Sequence, residues 1–313
     1  MITAADVLTA AARIAGSIRQ TPVFFAGSAW FKCEYMQHTG SFKARGALNR
    51  VLAAQESGEL DPRVGIVVAS GGNAGLANAF AASLAGVPAT VFVPETAPEF
   101  KVAKLRALGA TVIQRGTEYA IAQEAALKHA AETGAVLSHA YDQPEIVAGA
   151  GTVGLELLAQ LPGQVDTILV ATGGGGLVAG IAAAVSPEVK VVAVEPSSAP
   201  TLYTALREGG PVDVPVSGIA ADSLGARRAG DIAYEVAVRT GLETVLVSDV
   251  DIDAARRRLW HEWRIVVEHG AAATLAALDS GTYAPGPGER VALLLCGANT
   301  ELSTDLSTGS FGA

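Results

Sequence analysis

Lys43 is the residue in this sequence that is best placed to act as a nucleophile. It follows a turn of small residues, 39–41, and lies between the apolar side chains of Phe42 and Ala44. Burial among apolar neighbours lowers the pKa of a lysine and frees its amine for nucleophilic attack. The alternative is an ordinary surface lysine near the start of a helix.

Four consecutive glycines, Gly173 to Gly176, follow an apolar stretch and precede a helical segment that begins near Leu177. Backbone N–H groups without side chains can approach an anion closely, and a helix N-terminus favours negative charge. A phosphate site explains this run better than a packing turn, which needs only one or two glycines. A loose dinucleotide-binding pattern, with Glu195 as the acid that binds the ribose, is the alternative.

A second possible anion site lies at Ser70, Gly71 and Asn73, where another apolar stretch leads into a helical one. Backbone and hydroxyl donors at the start of a helix suit a carboxylate. The alternative is an ordinary helix N-cap formed by Ser70 or Asn73. A reactive lysine, a phosphate site and a carboxylate site together describe an amino acid held as a Schiff base on pyridoxal phosphate.

Strands and helices that would position these residues alternate along the chain. The alternation predicts parallel sheets covered by helices on both faces, and at least seven strands in 313 residues suit two α/β domains better than one. Ligands of such sheets bind at the carboxyl ends of the strands, where the two anion sites fall. The predicted strands are residues 65–69, 89–93, 111–114, 135–138, 167–171, 189–194 and 291–296. The predicted helices include residues 4–18, 74–84, 99–108, 118–132, 177–184 and 252–267.

Composition excludes several classes of protein. Charged residues make up 17% and hydrophobic residues 50%, which argues against disorder and coiled coil. A net charge of -9 argues against a general nucleic-acid binder. Residues 167–187 carry no charge and are long enough to span a bilayer, but the glycine run inside them favours a strand, a turn and a helix over a membrane span. The first residues lack a basic and then apolar leader, so we expect a cytoplasmic protein.

In their order along the chain, the motifs resemble those of fold-type II pyridoxal-phosphate enzymes, in the serine/threonine dehydratase family. The matching segments are residues 39–47, 70–75, 173–176 and 296–299, with support from 21–22, 93–98, 149–152 and 267–268. The resemblance implies the tryptophan synthase β-like α/β fold, with two open parallel-sheet domains and helices on both faces. It also implies a large cofactor-binding domain of residues 1–42 and 141–313. A small domain of residues 43–140 would carry the asparagine loop, residues 70–75.

The resemblance assigns a role to each matching residue. It implies that Lys43 binds the cofactor covalently and later moves the Cα proton, that Phe42 packs against the pyridine ring, and that Asn73 hydrogen-bonds the ring hydroxyl oxygen. The substrate carboxylate is assigned to Ser70, Gly71 and Asn73. The phosphate is assigned to the backbone amides of Gly173, Gly174, Gly175, Gly176 and Leu177.

The resemblance places Cys296 opposite the pyridine nitrogen. A thiol is a weak, uncharged partner there, so the nitrogen stays largely unprotonated and the ring is a weaker electron sink. This favours prompt loss of a β-leaving group over a long-lived carbanion. By itself, Cys296 would be interpreted as a small buried hydrophobe at the end of a strand.

The implied activity is that of a dehydratase, or ammonia-lyase. It converts a β-hydroxy amino acid such as L-threonine or L-serine to a 2-oxo acid and ammonia by β-elimination. No acidic side chain is identified as proton donor to the leaving hydroxyl, which leaves the cofactor phosphate. Relatives form homodimers, so a homodimer is expected.

Other activities stay open. Serine racemases of this family carry a second serine after the first in the asparagine loop, as the acid/base on the opposite face, and here that position is Gly71. The glycine favours dehydration over racemisation. A β-replacement synthase, a nucleotide-binding oxidoreductase and a non-catalytic amino-acid binding protein are the remaining alternatives.

A cation site is a further open prediction. The metal site of the family uses a glutamate after a strand, a backbone carbonyl four residues later and an aspartate two residues beyond. Glu195 and Ala199 fit this pattern, but the last position is Thr201. The alternative for Glu195 is a surface carboxylate. No regulatory domain is expected after Thr300, so feedback control is not expected either.

Overall fold

The computed structural model describes residues 1–300. The prediction about a regulatory domain after Thr300 therefore lies outside the described residues. The helices are α1 (Ala4–Ile14), α2 (Lys43–Ser57), α3 (Asn73–Ala85), α4 (Glu99–Ala107), α5 (Tyr119–Thr133), α6 (Pro144–Gln160), α7 (Gly176–Val185), α8 (Thr201–Glu208), α9 (Ala221–Leu224), α10 (Asp231–Thr240), α11 (Asp249–Trp263) and α12 (His269–Asp279). The strands are β1 (Val23–Phe25), β2 (Trp30–Lys32), β3 (Ile66–Ala69), β4 (Ala89–Val93), β5 (Thr111–Gln114), β6 (Val136–Leu137), β7 (Thr167–Ala171), β8 (Lys190–Pro196), β9 (Glu243–Val247) and β10 (Val291–Leu294).

The larger of two sheets has the strand order β1-β2-β10-β7-β8-β9. All neighbours in it run parallel except β1 and β2, which pair antiparallel with Phe24 opposite Phe31. Every residue of β7 and β10 is buried. Continuous apolar runs are typical of parallel strands covered on both faces, which is the physical reason why these strands were predictable from sequence.

The smaller sheet has the order β5-β4-β3-β6 and is parallel throughout. Its strands all come from residues 66–137, inside the segment predicted as the small domain. The predicted α/β class, with parallel sheets and covering helices, is confirmed. The domain boundaries themselves stay a prediction.

Two kinds of element differ from the sequence prediction. Strands β1, β2 and β9 were missed, because β1 and β2 have only three residues each and β9 is only partly buried. The predicted helix 252–267 is too long, because Arg264 adopts a left-handed conformation with φ 59° and ends α11 at Trp263. The chain then runs outside any helix until α12 begins at His269, and this break brings Glu268 into the site described below.

None of the helices found in residues 1–300 combines the length and the apolar character needed to cross a membrane. The uncharged stretch 167–187 divides into β7, the glycine run and α7.

Candidate active site

Lys43 is the first residue of α2, in a turn that is attached to the end of β10. The Phe42 amide donates to the carbonyl oxygen of Cys296 over 3.0 Å, and Ser41 forms a β-bridge with Gly297. The Lys43 amine donates to the carbonyl oxygen of Ala140 over 2.5 Å and lies 5.0 Å from the centre of the Phe42 ring. Burial lowers the pKa of Lys43 to about 8, so the interpretation as an ordinary surface lysine is wrong.

The glycine run lies between β7 and α7 and packs against Tyr141. A Cβ atom on Gly174 would overlap the Tyr141 ring, and one on Gly176 would overlap the Tyr141 carbonyl oxygen. Gly175 is the N-cap of α7 with φ 86°, and no side chain of the described residues caps this helix. Close packing therefore requires glycine at more positions than a simple turn does, and the first N–H groups of α7 are left for an anion.

Ala140 and Tyr141 connect the two features just described. Ala140 accepts the hydrogen bond of the Lys43 amine, and the next residue, Tyr141, packs against Gly174 and Gly176. The reactive amine and the glycine run are thus held by adjacent residues of one segment. Nothing in the sequence marks this segment, because one of its contacts uses a backbone carbonyl that any residue could supply.

The asparagine loop leads into α3, which begins at Asn73. Gly72 stands at the N-cap, and no side chain among residues 1–300 caps the helix. The Ser70 hydroxyl accepts from the Gly72 amide over 3.3 Å. The alternative that Ser70 or Asn73 serves as an ordinary N-cap is therefore wrong.

Asn73 is held by two side chains that come from distant parts of the chain. Its Nδ2 donates to both carboxylate oxygens of Glu268, at 3.0 and 3.1 Å, and its Oδ1 accepts from Asn299 Nδ2 at 2.7 Å. Burial raises the pKa of the Glu268 carboxyl, although the hydrogen bond from Asn73 acts in the opposite direction. Neither Glu268 nor Asn299 was predicted from sequence to have a role in the site, although both fall in segments that match the family.

An open cleft lies beside Asn73. Gly71, Gly72, Glu268 and Lys101 of α4 are among the residues that line it. Lys101 forms an ion pair of 2.5 Å with Asp222 of α9, which also lines the cleft.

Cys296 lies two residues beyond the end of β10 and is 3% exposed. Cys33 and Cys296 are both free thiols. Burial raises the pKa of Cys296, so its thiol stays neutral at physiological pH.

Glu195 lies near the end of β8 and is fully buried, so the interpretation as a surface carboxylate is wrong. It accepts hydrogen bonds from the Leu202 amide at 2.8 Å and the Tyr203 amide at 2.7 Å, and Thr201 Oγ1 lies 3.1 Å away. Burial raises the pKa of Glu195 to about 7. Within residues 1–300, no three His, Cys, Asp or Glu side chains are grouped to hold a metal ion. The cation site at Glu195 and Ala199 stays a prediction.

The family model for pyridoxal-phosphate dependent enzymes matches residues 14–297. This chain belongs to that family. Pyridoxal phosphate is therefore its cofactor, and the suspected resemblance is confirmed. The interpretation as a nucleotide-binding oxidoreductase loses its basis.

Curated relatives include both lyases and racemases. The chain is 39% identical to the L-threonine ammonia-lyase of Geobacter sulfurreducens, over 88% of this chain and 68% of the relative. It is 36% identical to the phenylserine dehydratase of Ralstonia pickettii, over 94% and 92% of the two chains. It is 33% identical to the serine racemase of Arabidopsis thaliana, over 96% and 95%.

Solved structures agree with the fold. Maize serine racemase superposes with a TM-score of 0.89 at 31% identity, covering 96% of this chain and 94% of that one. The serine racemase of Dictyostelium discoideum superposes with a TM-score of 0.87 at 31% identity, covering 96% and 99%. A threonine deaminase of known structure also superposes with a TM-score of 0.87, at 35% identity and with the same coverage.

The residues of the site fit pyridoxal phosphate. Lys43 offers a buried amine whose lowered pKa favours covalent attachment, and the uncapped start of α7 offers N–H donors for the phosphate. Cys296 offers a neutral thiol in the same segment as Asn299, which holds Asn73. The roles assigned to these residues, and to Phe42 and Leu177, remain proposals.

Proposed function

We propose that the protein is a pyridoxal-phosphate-dependent ammonia-lyase that converts a β-hydroxy amino acid to a 2-oxo acid and ammonia by β-elimination. Threonine ammonia-lyase and phenylserine dehydratase among its relatives support a carbon–oxygen lyase. The observation that carries the choice between lyase and racemase is the absence of a side chain at Gly71, next to Ser70 in the asparagine loop.

Racemisation needs a proton donor or acceptor on each face of the Cα atom, whereas β-elimination needs one base for the Cα proton. Lys43 supplies one such group. A Cβ atom built on Gly71 would meet only Val93 Cγ1, at 3.5 Å, which is an ordinary contact. Packing around the Cβ position therefore does not require glycine here.

In this proposal the residues of the site have separate roles. Lys43 holds the cofactor and takes the Cα proton of the substrate, while Ser70, Gly71 and Asn73 bind the substrate carboxylate. Phe42, Cys296 and the amides of Gly173–Gly176 and Leu177 position the cofactor. Pyridoxal phosphate supplies, when bound, an electron sink for the negative charge that develops at Cα.

Product analysis tests the proposal. Purified protein loaded with pyridoxal phosphate is given L-serine, L-threonine, 3-hydroxyaspartate or phenylserine. We expect equal amounts of 2-oxo acid and ammonia from at least one of them. Lys43→Ala protein should lose at least about a thousandfold in rate, because it lacks the base and the attachment point. Absence of ammonia from every substrate would overturn the proposal.

A serine racemase is the second candidate, since Arabidopsis serine racemase matches nearly the whole chain. Chiral chromatography of the L-serine reaction separates the two candidates. D-serine formed faster than pyruvate would favour the racemase.

Three further properties are proposals too. They are the homodimeric state, which light scattering tests, the cytoplasmic location, and the division into a domain of residues 43–140 and a domain of the remainder.

A further inference from the structure

Asn73 belongs to the helix that covers the smaller sheet, but its carboxamide is held by residues that adjoin the larger sheet. We propose that Glu268 and Asn299 are positioning residues that determine which way the Asn73 carboxamide points, and that Arg256 holds both of them in place. The proposal rests on the proposed function in one respect, because it takes Asn73 as a residue that contacts the cofactor and the substrate.

The orientation of the two amides follows from a backbone oxygen. Asn299 Nδ2 donates to the Thr39 carbonyl at 2.7 Å and to Asn73 Oδ1 at 2.7 Å. A carbonyl oxygen only accepts hydrogen bonds, so Asn299 must turn its NH₂ group toward Thr39. That NH₂ group then requires the oxygen of Asn73 to face Asn299.

Glu268 imposes the same orientation from the other end of the Asn73 amide. Both of its carboxylate oxygens lie within 3.1 Å of Asn73 Nδ2, and the residue is 8% exposed. A flipped Asn73 would point its oxygen at a buried carboxylate and its NH₂ group at that of Asn299. Both new contacts would be repulsive, so the flipped state is excluded on both sides.

The loop before Lys43 is shaped to accept Asn299. Thr39 is one of two non-glycine residues with positive φ in the described part of the chain, with φ 60°. Next to it, Gly40 leaves room for the amide, because a Cβ atom there would lie 3.1 Å from Asn299 Oδ1. A left-handed threonine is unfavourable in itself, and the hydrogen bond from Asn299 to its carbonyl helps to hold it.

Arg256 contacts residues that are adjacent in the chain to Glu268 and to Asn299. Its Nε donates to the Val267 carbonyl at 2.8 Å, and its Nη1 lies 3.3 Å from His269 Nε2. Its Nη2 donates to the Thr300 hydroxyl at 3.4 Å. Val267 and His269 flank Glu268, and Thr300 follows Asn299. A single guanidinium on α11, 6% exposed, therefore contacts the chain neighbours of both positioning residues.

The substitution Asn299→Asp gives the sharpest test, because it keeps the shape and replaces the NH₂ group by an oxygen. That oxygen would face the Thr39 carbonyl and Asn73 Oδ1, so Asn73 could no longer keep its orientation. We expect kcat/KM and the affinity for pyridoxal phosphate each to fall by about tenfold or more, with a shifted absorbance maximum of the bound cofactor. Wild-type values of all three quantities in a folded variant would overturn the proposal.

Two substitutions at Glu268 test its hydrogen bond to Asn73 independently of Asn299. Glu268→Gln keeps an oxygen that can accept from Asn73, whereas Glu268→Met has a similar volume and no oxygen. We expect the glutamine variant to stay within about threefold of wild type and the methionine variant to lose about tenfold or more in kcat/KM and cofactor affinity. Equal behaviour of the two variants, in either direction, would contradict a hydrogen-bonding role.

Arg256→Met should show a smaller loss of cofactor affinity in the same direction as Glu268→Met. Arg258→Met is the matched control on the same helix, since Arg258 pairs with Glu262 and Asp279 at the surface. Equal cofactor affinity in the two arginine variants would remove Arg256 from the proposal. Cofactor affinity and absorbance are read without substrate. They therefore test this inference even if no hydroxy amino acid is turned over, in which case only the proposed function fails.

Discussion

At the scale of single residues, the reactivity of Lys43 comes from where its amine is placed. The amine is buried, its hydrogen-bond partner is the neutral Ala140 carbonyl, and the negative charges of the surroundings do not offset the loss of hydration. The pKa falls from 10.5 to about 8. A lysine at its ordinary pKa would be almost wholly protonated near neutral pH and unreactive.

This pKa predicts how cofactor uptake depends on pH. Only the neutral amine attacks, so cofactor-free protein should bind pyridoxal phosphate covalently at a rate that rises with pH up to about 8 and then levels off. Stopped-flow absorbance of the yellow protein measures this rate, and borohydride trapping confirms the attachment. Lys43→Ala is the negative control, because it lacks the amine that binds the cofactor. A rate that keeps rising to pH 10 would show an amine with an ordinary pKa.

Gly71→Ser tests the residue that separates the two candidate activities. A Cβ atom fits at this position, since only Val93 lies within 4 Å of it, and serine would add a hydroxyl beside Ser70. We expect the variant to form D-serine from L-serine at least about tenfold faster than wild type, because a second proton carrier becomes available. Gly72→Ser is the matched control, because a side chain there meets nothing within 4 Å. Similar D-serine formation in both variants would contradict the one-base interpretation of the site.

At the scale of elements, the junction of β7 and α7 combines two demands on the same glycines. The junction leaves the first N–H groups of α7 uncapped, and it lets the segment that holds Lys43 pack directly on the turn. The proposed phosphate site would use the uncapped N–H groups, and packing against Tyr141 accounts for the second demand. Packing by itself disfavours a side chain throughout the run, because an added Cβ atom would also lie 3.0 Å from Leu224 at Gly173 and 2.5 Å from Ala233 at Gly175.

Gly176→Ala should disturb both functions of this junction. Its methyl group would overlap the Tyr141 carbonyl oxygen, so the turn or the 139–142 segment must shift. We expect a loss of about 1–3 kcal/mol in the free energy of unfolding and weaker binding of pyridoxal phosphate. Gly210→Ala is the control, since nothing lies within 4 Å of its added methyl group. Chemical denaturation and cofactor titration measure the two effects, and an unchanged cofactor affinity would place the phosphate elsewhere.

At the scale of the whole molecule, a buried group of four charges joins the larger sheet to the helix that carries Lys43. Arg45 of α2 contacts Glu34 at 2.5 Å and Glu156 of α6 at 2.8 Å, and Lys32 of β2 contacts Glu156 at 2.5 Å. Two positive and two negative side chains balance each other. Removing one member of such a group leaves a buried charge without its partner, which is strongly destabilising.

Arg45→Met should therefore destabilise the protein strongly. It leaves the fully buried Glu34 without its guanidinium, and removing one partner of a buried pair costs about 3–5 kcal/mol. Arg63→Met is the control, because Arg63 pairs with Asp61 at the surface, where ion pairs contribute little. Urea denaturation compares the two variants. A loss for Arg45→Met as small as that for Arg63→Met would show that the group of charges is not coupled.

Sequence alone was sufficient for the features that depend on neighbouring residues. Seven of the ten strands found in residues 1–300 were predicted, because continuous apolar runs between helical segments are typical of buried parallel strands. The sequence also identified Lys43, Asn73 and the glycine run, again from residues that are neighbours in the chain. Each stands at a turn whose composition is unusual in itself.

Only the tertiary structure decided which distant residues meet these turns. Asn73 lies 195 residues from Glu268 and 226 from Asn299 along the chain, and no local pattern relates positions so far apart. The end of α11 at Trp263 was not predictable from sequence either, because nothing in the local apolar pattern indicates that Arg264 adopts a left-handed conformation. Helix and strand periodicity follows from bonds between near neighbours, whereas the pairing of Asn73 with Glu268 depends on how two sheets pack together.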